Sequence, residues 1–141
     1  MALACRGKDA GIQQQERFAV VLTPVGDDSR HDAWLASAAA VGGRNWDIVA
    51  LYFGHAHATD YQCQECVAVQ RLNGAKWRLV SAFLNSTTWN GTGGRRRGLS
   101  RRYKYVMIAD DDLDLTADIL NRFFVIVRSF NLTIAQPSVC K

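Results

Sequence analysis

Short unbroken apolar runs, each stopped by turn residues, set the pattern of this chain. Residues 18–23 (FAVVLT) form the first run, closed by Pro24 and Gly26. Residues 46–53 (WDIVALYF) form the second and residues 103–109 (YKYVMIA) the third. Runs of this length, rich in β-branched and aromatic residues, predict strands of a parallel sheet buried on both faces. Residues 66–72 predict a further short strand. Residues 132–135 (LTIA), stopped by Gln136-Pro137, predict a last one, in the sheet or at its edge.

Between these runs the apolar period changes. Ser29, with Asp32 three residues on, predicts an N-cap. The helix it opens would put Trp34, Ala38 and Val41 on one face and end at Gly42-Gly43. In residues 75–84 (AKWRLVSAFL), Trp77, Val80, Ser81 and Leu84 fall at i, i+3, i+4 and i+7, a helical stripe. Thr116 predicts the cap of a helix through Phe130, with Leu120, Phe123, Phe124 and Val127 inward and Asp118 placed to suit the helix dipole. The order strand, helix, strand, short strand, helix, strand, helix, strand is that of an α/β fold, a mainly parallel sheet flanked by helices. Residues 1–16 are polar and unpatterned and predict a disordered lead-in. Residues 17–141 then form a single α/β domain, interrupted by a mobile loop over residues 85–102, which hold four glycines and five arginines.

A length of 141 residues fits one domain, and 48% hydrophobic residues with only 2 prolines exclude a disordered chain. No run approaches the ~18 apolar residues of a membrane span. The net charge of +4 is local in origin: Arg95, Arg96, Arg97, Arg101, Arg102 and Lys104 supply it, and the rest of the chain is slightly acidic. This basic loop has no interleaved aromatics, so a nucleic-acid partner is not expected. Cys5, Cys63, Cys66 and Cys140 are too sparse for a disulfide scaffold. Three glycosylation sequons, at Asn85, Asn90 and Asn131, are compatible with the secretory pathway.

The strongest chemical signal is Asp110-Asp111-Asp112, where a predicted strand ends. Crowded carboxylates repel one another, and a divalent cation removes that cost. In an extended segment Asp110 and Asp112 would share one side and Asp111 the other. Asp110 and Asp112 are therefore the candidate ligands for Mn²⁺ or Mg²⁺, and the same residues are open to the plainer reading of a solvated turn before a helix. A second constellation is His55, His57, Cys63 and Cys66, four nitrogen and sulfur donors within twelve residues. It could hold zinc, or Cys63 and Cys66 could be a redox pair, but the spacing is tight, and plain loop residues or a 63–66 disulfide are the expected reading. A glycine-rich phosphate loop and a G-x-S-x-G nucleophile elbow are both absent.

Three blocks carry a resemblance: residues 74–84 (GAKWRLVSAFL), residues 103–113 (YKYVMIADDDL) and residues 132–138 (LTIAQPS). In this order they resemble an uncharacterised, largely plant and algal family labelled lysine-ketoglutarate reductase trans-splicing related. Its domain is similar to the GT-A glycosyltransferases, nucleotide-sugar enzymes with an Asp-x-Asp metal motif. The resemblance spans roughly residues 18–138. It departs at Ala109, where the family usually has Trp, and at Asp111, where Glu is common; the family domain also continues past Gln-Pro. It implies a GT-A-like fold that is C-terminally incomplete and a nucleotide-sugar donor as partner. Asp110 and Asp112 would hold Mn²⁺ or Mg²⁺, and Thr23, Val25, Asp28, Lys76 and Asp111 would border the donor. The alternatives are a non-catalytic binding domain that keeps the fold and, behind it, a small zinc-binding protein.

Overall fold

A computed structural model describes residues 16–55, 61–91 and 98–137. Four strands, β1 (Ala19–Val25), β2 (Trp46–Tyr52), β3 (Ala68–Arg71) and β4 (Tyr105–Ile108), make one sheet in the order β3-β2-β1-β4. All three pairings are parallel. The helices are α1 (His31–Ala36), α2 (Lys76–Leu84), α3 (Thr87–Asn90) and α4 (Ala117–Ser129). The α/β arrangement read from the apolar runs is present. Every residue of β1 and β2 is buried, which is why neither run alternates with polar residues.

Helices cover both faces of the sheet. On one face Ala19, Val21 and Ile48 pack with Trp34 and Leu35 of α1 and with Leu120 and Phe124 of α4. On the other, Val20, Leu22, Val49 and Leu51 pack with Leu79, Val80 and Phe83 of α2. Asp47 of β2 is buried and charged. It receives Arg17 at 2.6 Å, Arg102 at 3.0 Å and the Tyr103 hydroxyl at 2.5 Å, enough donors to offset its desolvation. Burial, and then the bond to Asp47, pushes the Tyr103 pKa up. Among the described residues no helix is long and apolar enough to cross a membrane.

Several expectations need correction. Residues 132–135 are not a strand. The chain leaves α4 through Asn131 at φ 49°, Asn131 N–H donates to Arg128 C=O at 3.2 Å, and Leu132 N–H donates to Val127 C=O at 3.0 Å. These bonds close the helix and take up the N–H of Leu132, the first residue of the segment; Ile134 is left 92% exposed. Arg30 holds the residue before α1 without a side-chain bond, but Ser29 Oγ still accepts the backbone N–H of His31, the first residue of α1, at 3.4 Å, and also meets its ring Nδ1 at 2.7 Å. Trp34 and Ala38 are buried as expected but Val41 is exposed. In α2 the inward face is Leu79, Val80 and Phe83, and Trp77 is exposed. Thr116 does cap α4, accepting from Ile119 N–H at 3.3 Å. Residues 1–15 of the expected lead-in, and residues 92–97 of the expected loop, lie outside the described residues. The described part of that loop holds α3 and a 3₁₀ turn at Leu99–Arg101.

Candidate functional site

The chain leaves β1 toward β2 on one side, and β4 joins β1 on the other, so the sheet order reverses between β1 and β4. In open α/β sheets the crevice beyond the carboxyl ends of the strands at such a reversal is the usual ligand site. A cleft of about 380 Å³ lies there. Its lining comes from the turns after three neighbouring strands: Gly26, Asp27 and Asp28 after β1; Phe53, Gly54 and His55 after β2; Asp111 and Asp112 after β4.

Asp111 joins two of these turns. Its Oδ2 accepts the Gly26 N–H at 3.0 Å and its backbone oxygen accepts the Arg30 N–H at 2.9 Å. Asp27 joins the third: its carboxylate accepts the Tyr52 hydroxyl and, at 3.0 Å, the His55 N–H. Asp28 and Asp112 are exposed, and their side chains make no hydrogen bond or ion pair among the described residues. Phe53 is 43% exposed on the cleft wall.

The sequence placed Asp110 and Asp112 together and turned Asp111 away. The structure instead brings Asp111 and Asp112 to the cleft, while Asp110 pairs with Lys76 at the start of α2. The reason is local. Residues 110–113 form a turn, with Leu113 N–H directed to Asp110 C=O at 3.5 Å, so the alternation of an extended strand does not apply. Of the residues read as donor-bordering, Asp28 and Asp111 line the cleft; Thr23 and Val25 are buried in β1, and Lys76 is engaged with Asp110. Phe53 and Gly54 were not singled out. Their signal was positional: each follows a buried parallel strand and so emerges on the same sheet edge as the acid triplet.

The histidine–cysteine constellation is rearranged as well. His55 faces the cleft and His57 lies outside the described residues. Cys63 and Cys66 form a disulfide in the turn before β3. The histidine beside them is His31, the first residue of α1, and one of its ring nitrogens lies within 4.8 Å of both sulfurs. His31 is buried; Nδ1 meets Ser29 Oγ at 2.7 Å and Nε2 meets the Tyr61 hydroxyl at 2.9 Å. Burial lowers its pKa, against the opposing pull of Asp32 and Asp111. Tyr61 stacks on Tyr52, with ring centroids 4.3 Å apart, and burial pushes its phenol pKa up. Nothing in the spacing of the sequence announces His31, because it reaches the cysteines through the fold. Compared with known proteins, the chain matches no family model, no characterised protein and no solved structure.

Proposed function

We propose that this domain binds a nucleotide-sugar donor together with Mn²⁺ or Mg²⁺, as the donor-binding part of a GT-A-like glycosyltransferase. The supporting observation is the composition of the cleft at the β1–β4 reversal. Asp27, Asp28, Asp111 and Asp112 line it, and among the described residues no lysine or arginine does. An all-oxygen, carboxylate-rich donor set suits a hard divalent cation, and a diphosphate could approach so acidic a wall only with one. Asp112 and Asp28, whose carboxylates have no partner among the described residues, are the oxygens offered to the cation. Asp110, paired with Asp112 in the sequence motif, would first have to release Lys76. The bound metal would supply charge neutralisation for the diphosphate and the departing nucleotide. Asp111 and Asp27 hold the three turns in place, and the exposed ring of Phe53 offers a flat apolar surface to a nucleobase.

The test is thermal stabilisation of the protein by a panel of nucleoside diphosphate sugars, with Mn²⁺ and with EDTA. Ligand at about ten times its Kd should stabilise the fold by about 1.4 kcal/mol. The gain should need the metal and should vanish in Asp112→Asn and in Asp28→Asn. Stabilisation by no nucleotide under either condition would overturn the reading. A second reading, a non-catalytic binding domain, draws on the bonds from Asp110 to Lys76 and from Asp111 to Gly26, which give two of the three consecutive acids a role in the fold. It predicts no Mn²⁺-dependent nucleotide effect.

A further inference from the structure

We propose that reduction of the Cys63–Cys66 disulfide turns this corner of the protein into a zinc site, with Cys63, Cys66 and His31 as ligands. The inference is independent of the nucleotide reading of the cleft. Both sulfurs and a ring nitrogen of His31 lie within 4.8 Å of one another. Zinc bonds of about 2.3 Å to sulfur and about 2.0–2.1 Å to nitrogen put tetrahedral ligand atoms about 3.4–3.8 Å apart. Contraction of each sulfur–nitrogen distance by at most about 1.3 Å, together with opening of the S–S bond to about 3.8 Å, therefore completes three positions.

The frame that holds these donors does not depend on the disulfide. Buried Arg44 grips the turn between the cysteines, donating from Nη2 to the Glu65 carbonyl at 3.0 Å and lying 3.3 Å from the Glu65 carboxylate. Cys66 N–H reaches the Cys63 carbonyl at 3.4 Å. Both cysteines also pack against the core that α1 and α4 cover. On the other side, each ring nitrogen of His31 has a hydroxyl partner, Ser29 or Tyr61. Zinc at one nitrogen replaces one of these bonds, and the other continues to fix the ring, the arrangement that metal-bound imidazoles favour. The fourth position falls to water or to Asp32, an exposed carboxylate 3.2 Å from His31 Nε2.

The chemistry balances with a thiol reductant. Two small-molecule thiols give up two electrons and become a disulfide, and their protons pass to Cys63 and Cys66. Zinc then displaces both protons from the sulfurs to solvent as the thiolates coordinate. Oxidised, the pair is a covalent clasp on the turn; reduced and loaded, the same pair is clasped to α1 by the metal.

The experiment uses the full chain carrying Cys5→Ser and Cys140→Ser, so that only this pair can respond. The protein is reduced with a phosphine, which takes oxygen from water and leaves two thiols. It is then titrated with Zn²⁺ against a chromophoric chelator, and with Co²⁺ as a spectroscopic stand-in. We expect one metal per chain held against the chelator after reduction and none before it, since the all-oxygen cleft cannot compete with the chelator for zinc as a thiolate pair does. We also expect a cobalt spectrum with thiolate charge-transfer and tetrahedral ligand-field bands. Affinity should fall at least tenfold in His31→Gln and vanish in Cys63→Ser. Circular dichroism follows the fold throughout. The proposal fails if the reduced, folded protein takes up no zinc, or if His31→Gln binds as tightly as the parent. It fails equally if reduction unfolds the chain and zinc does not restore it.

Discussion

The Asp111→Ala substitution tests how the two sides of the cleft are joined. In the folded protein Asp111 Oδ2 takes the Gly26 N–H at 3.0 Å, and its backbone oxygen takes the Arg30 N–H at 2.9 Å. Alanine removes the first bond and leaves the second. A hydrogen bond to a charged group contributes about 1.5–3 kcal/mol. Gly26 is only half-buried, so water recovers part of that, and the expected loss is about 1.5–2 kcal/mol. With an unfolding entropy of about 2.1 cal/mol/K per residue, each kcal/mol lowers the midpoint of a chain this long by about 3 °C. The Asp111→Ala midpoint should therefore fall by about 5–6 °C. Asp111→Asn keeps an acceptor and should lose about half as much. Asp110→Asn breaks the Lys76 ion pair, whose side chains are 30% and 49% exposed; solvent screening holds that loss below about 1 kcal/mol. Asp112→Asn removes one of several crowded charges and no partner, so it should be neutral or slightly stabilising without metal. Urea and thermal unfolding in EDTA, followed by circular dichroism, give the ranking directly. If Asp112→Asn costs as much as Asp111→Ala, or if Asp111→Ala costs nothing, the account of the cleft is wrong.

Asp47→Asn should destabilise by about 3 kcal/mol, because it leaves Arg17, Arg102 and the Tyr103 hydroxyl without their shared anion; a loss under about 1 kcal/mol in urea unfolding would show that the partners re-solvate freely. The Tyr103 pKa is raised above its ordinary 10.0. Below pH 10 its contribution is fully present, and it is lost as pH rises further, because only the unfolded chain releases the proton. Alkaline denaturation should therefore be shallower in Tyr103→Phe than in the parent, and equal slopes would contradict this. At Gly54 an added Cβ would press on both the Tyr52 hydroxyl and the Asp27 carboxylate. Gly54→Ala should destabilise by about 1–3 kcal/mol; an unchanged midpoint would mean that the turn after β2 can shift.

The sheet was legible because its strands are buried on both faces and therefore read as continuous apolar runs. β4 was found for a different reason. It is an edge strand with an alternating burial pattern, but its outward residues Val106 and Ile108 are apolar too. The helices were located by period, yet the buried stripe of α2 was displaced. Trp77 suggested an inward face by its hydrophobicity, whereas Leu79 and Phe83, which sit over β1 and β2, carry the packing. Residues 132–135 show the converse: β-branched content is worth little when the first N–H of the segment goes to closing a helix and Ile134 lies exposed outside the sheet. For the cleft, the sheet edge was readable and the individual side chains were not. Which of three consecutive aspartates faces the cleft depends on the turn that they make, and that turn is fixed by bonds to Gly26 and Arg30, some eighty residues earlier in the chain. His31 and the cysteines met for the same reason, through tertiary placement that local spacing does not encode.

The position of β1 between β2 and β4 also sets an order of assembly. Ala19 pairs with Trp46 on one side and with Tyr105 on the other. The first contact closes a short stretch of chain; the second must close one about three times as long, at a higher entropic cost. The β1–β2 hemisphere with α1 is thus expected to condense first, and β4 to dock onto its open side late. The cleft lies on the seam between the two. It comes into existence only with the last strand, so a ligand that requires Asp28 and Asp112 together can act as a reporter of finished folding and not of partly assembled chains.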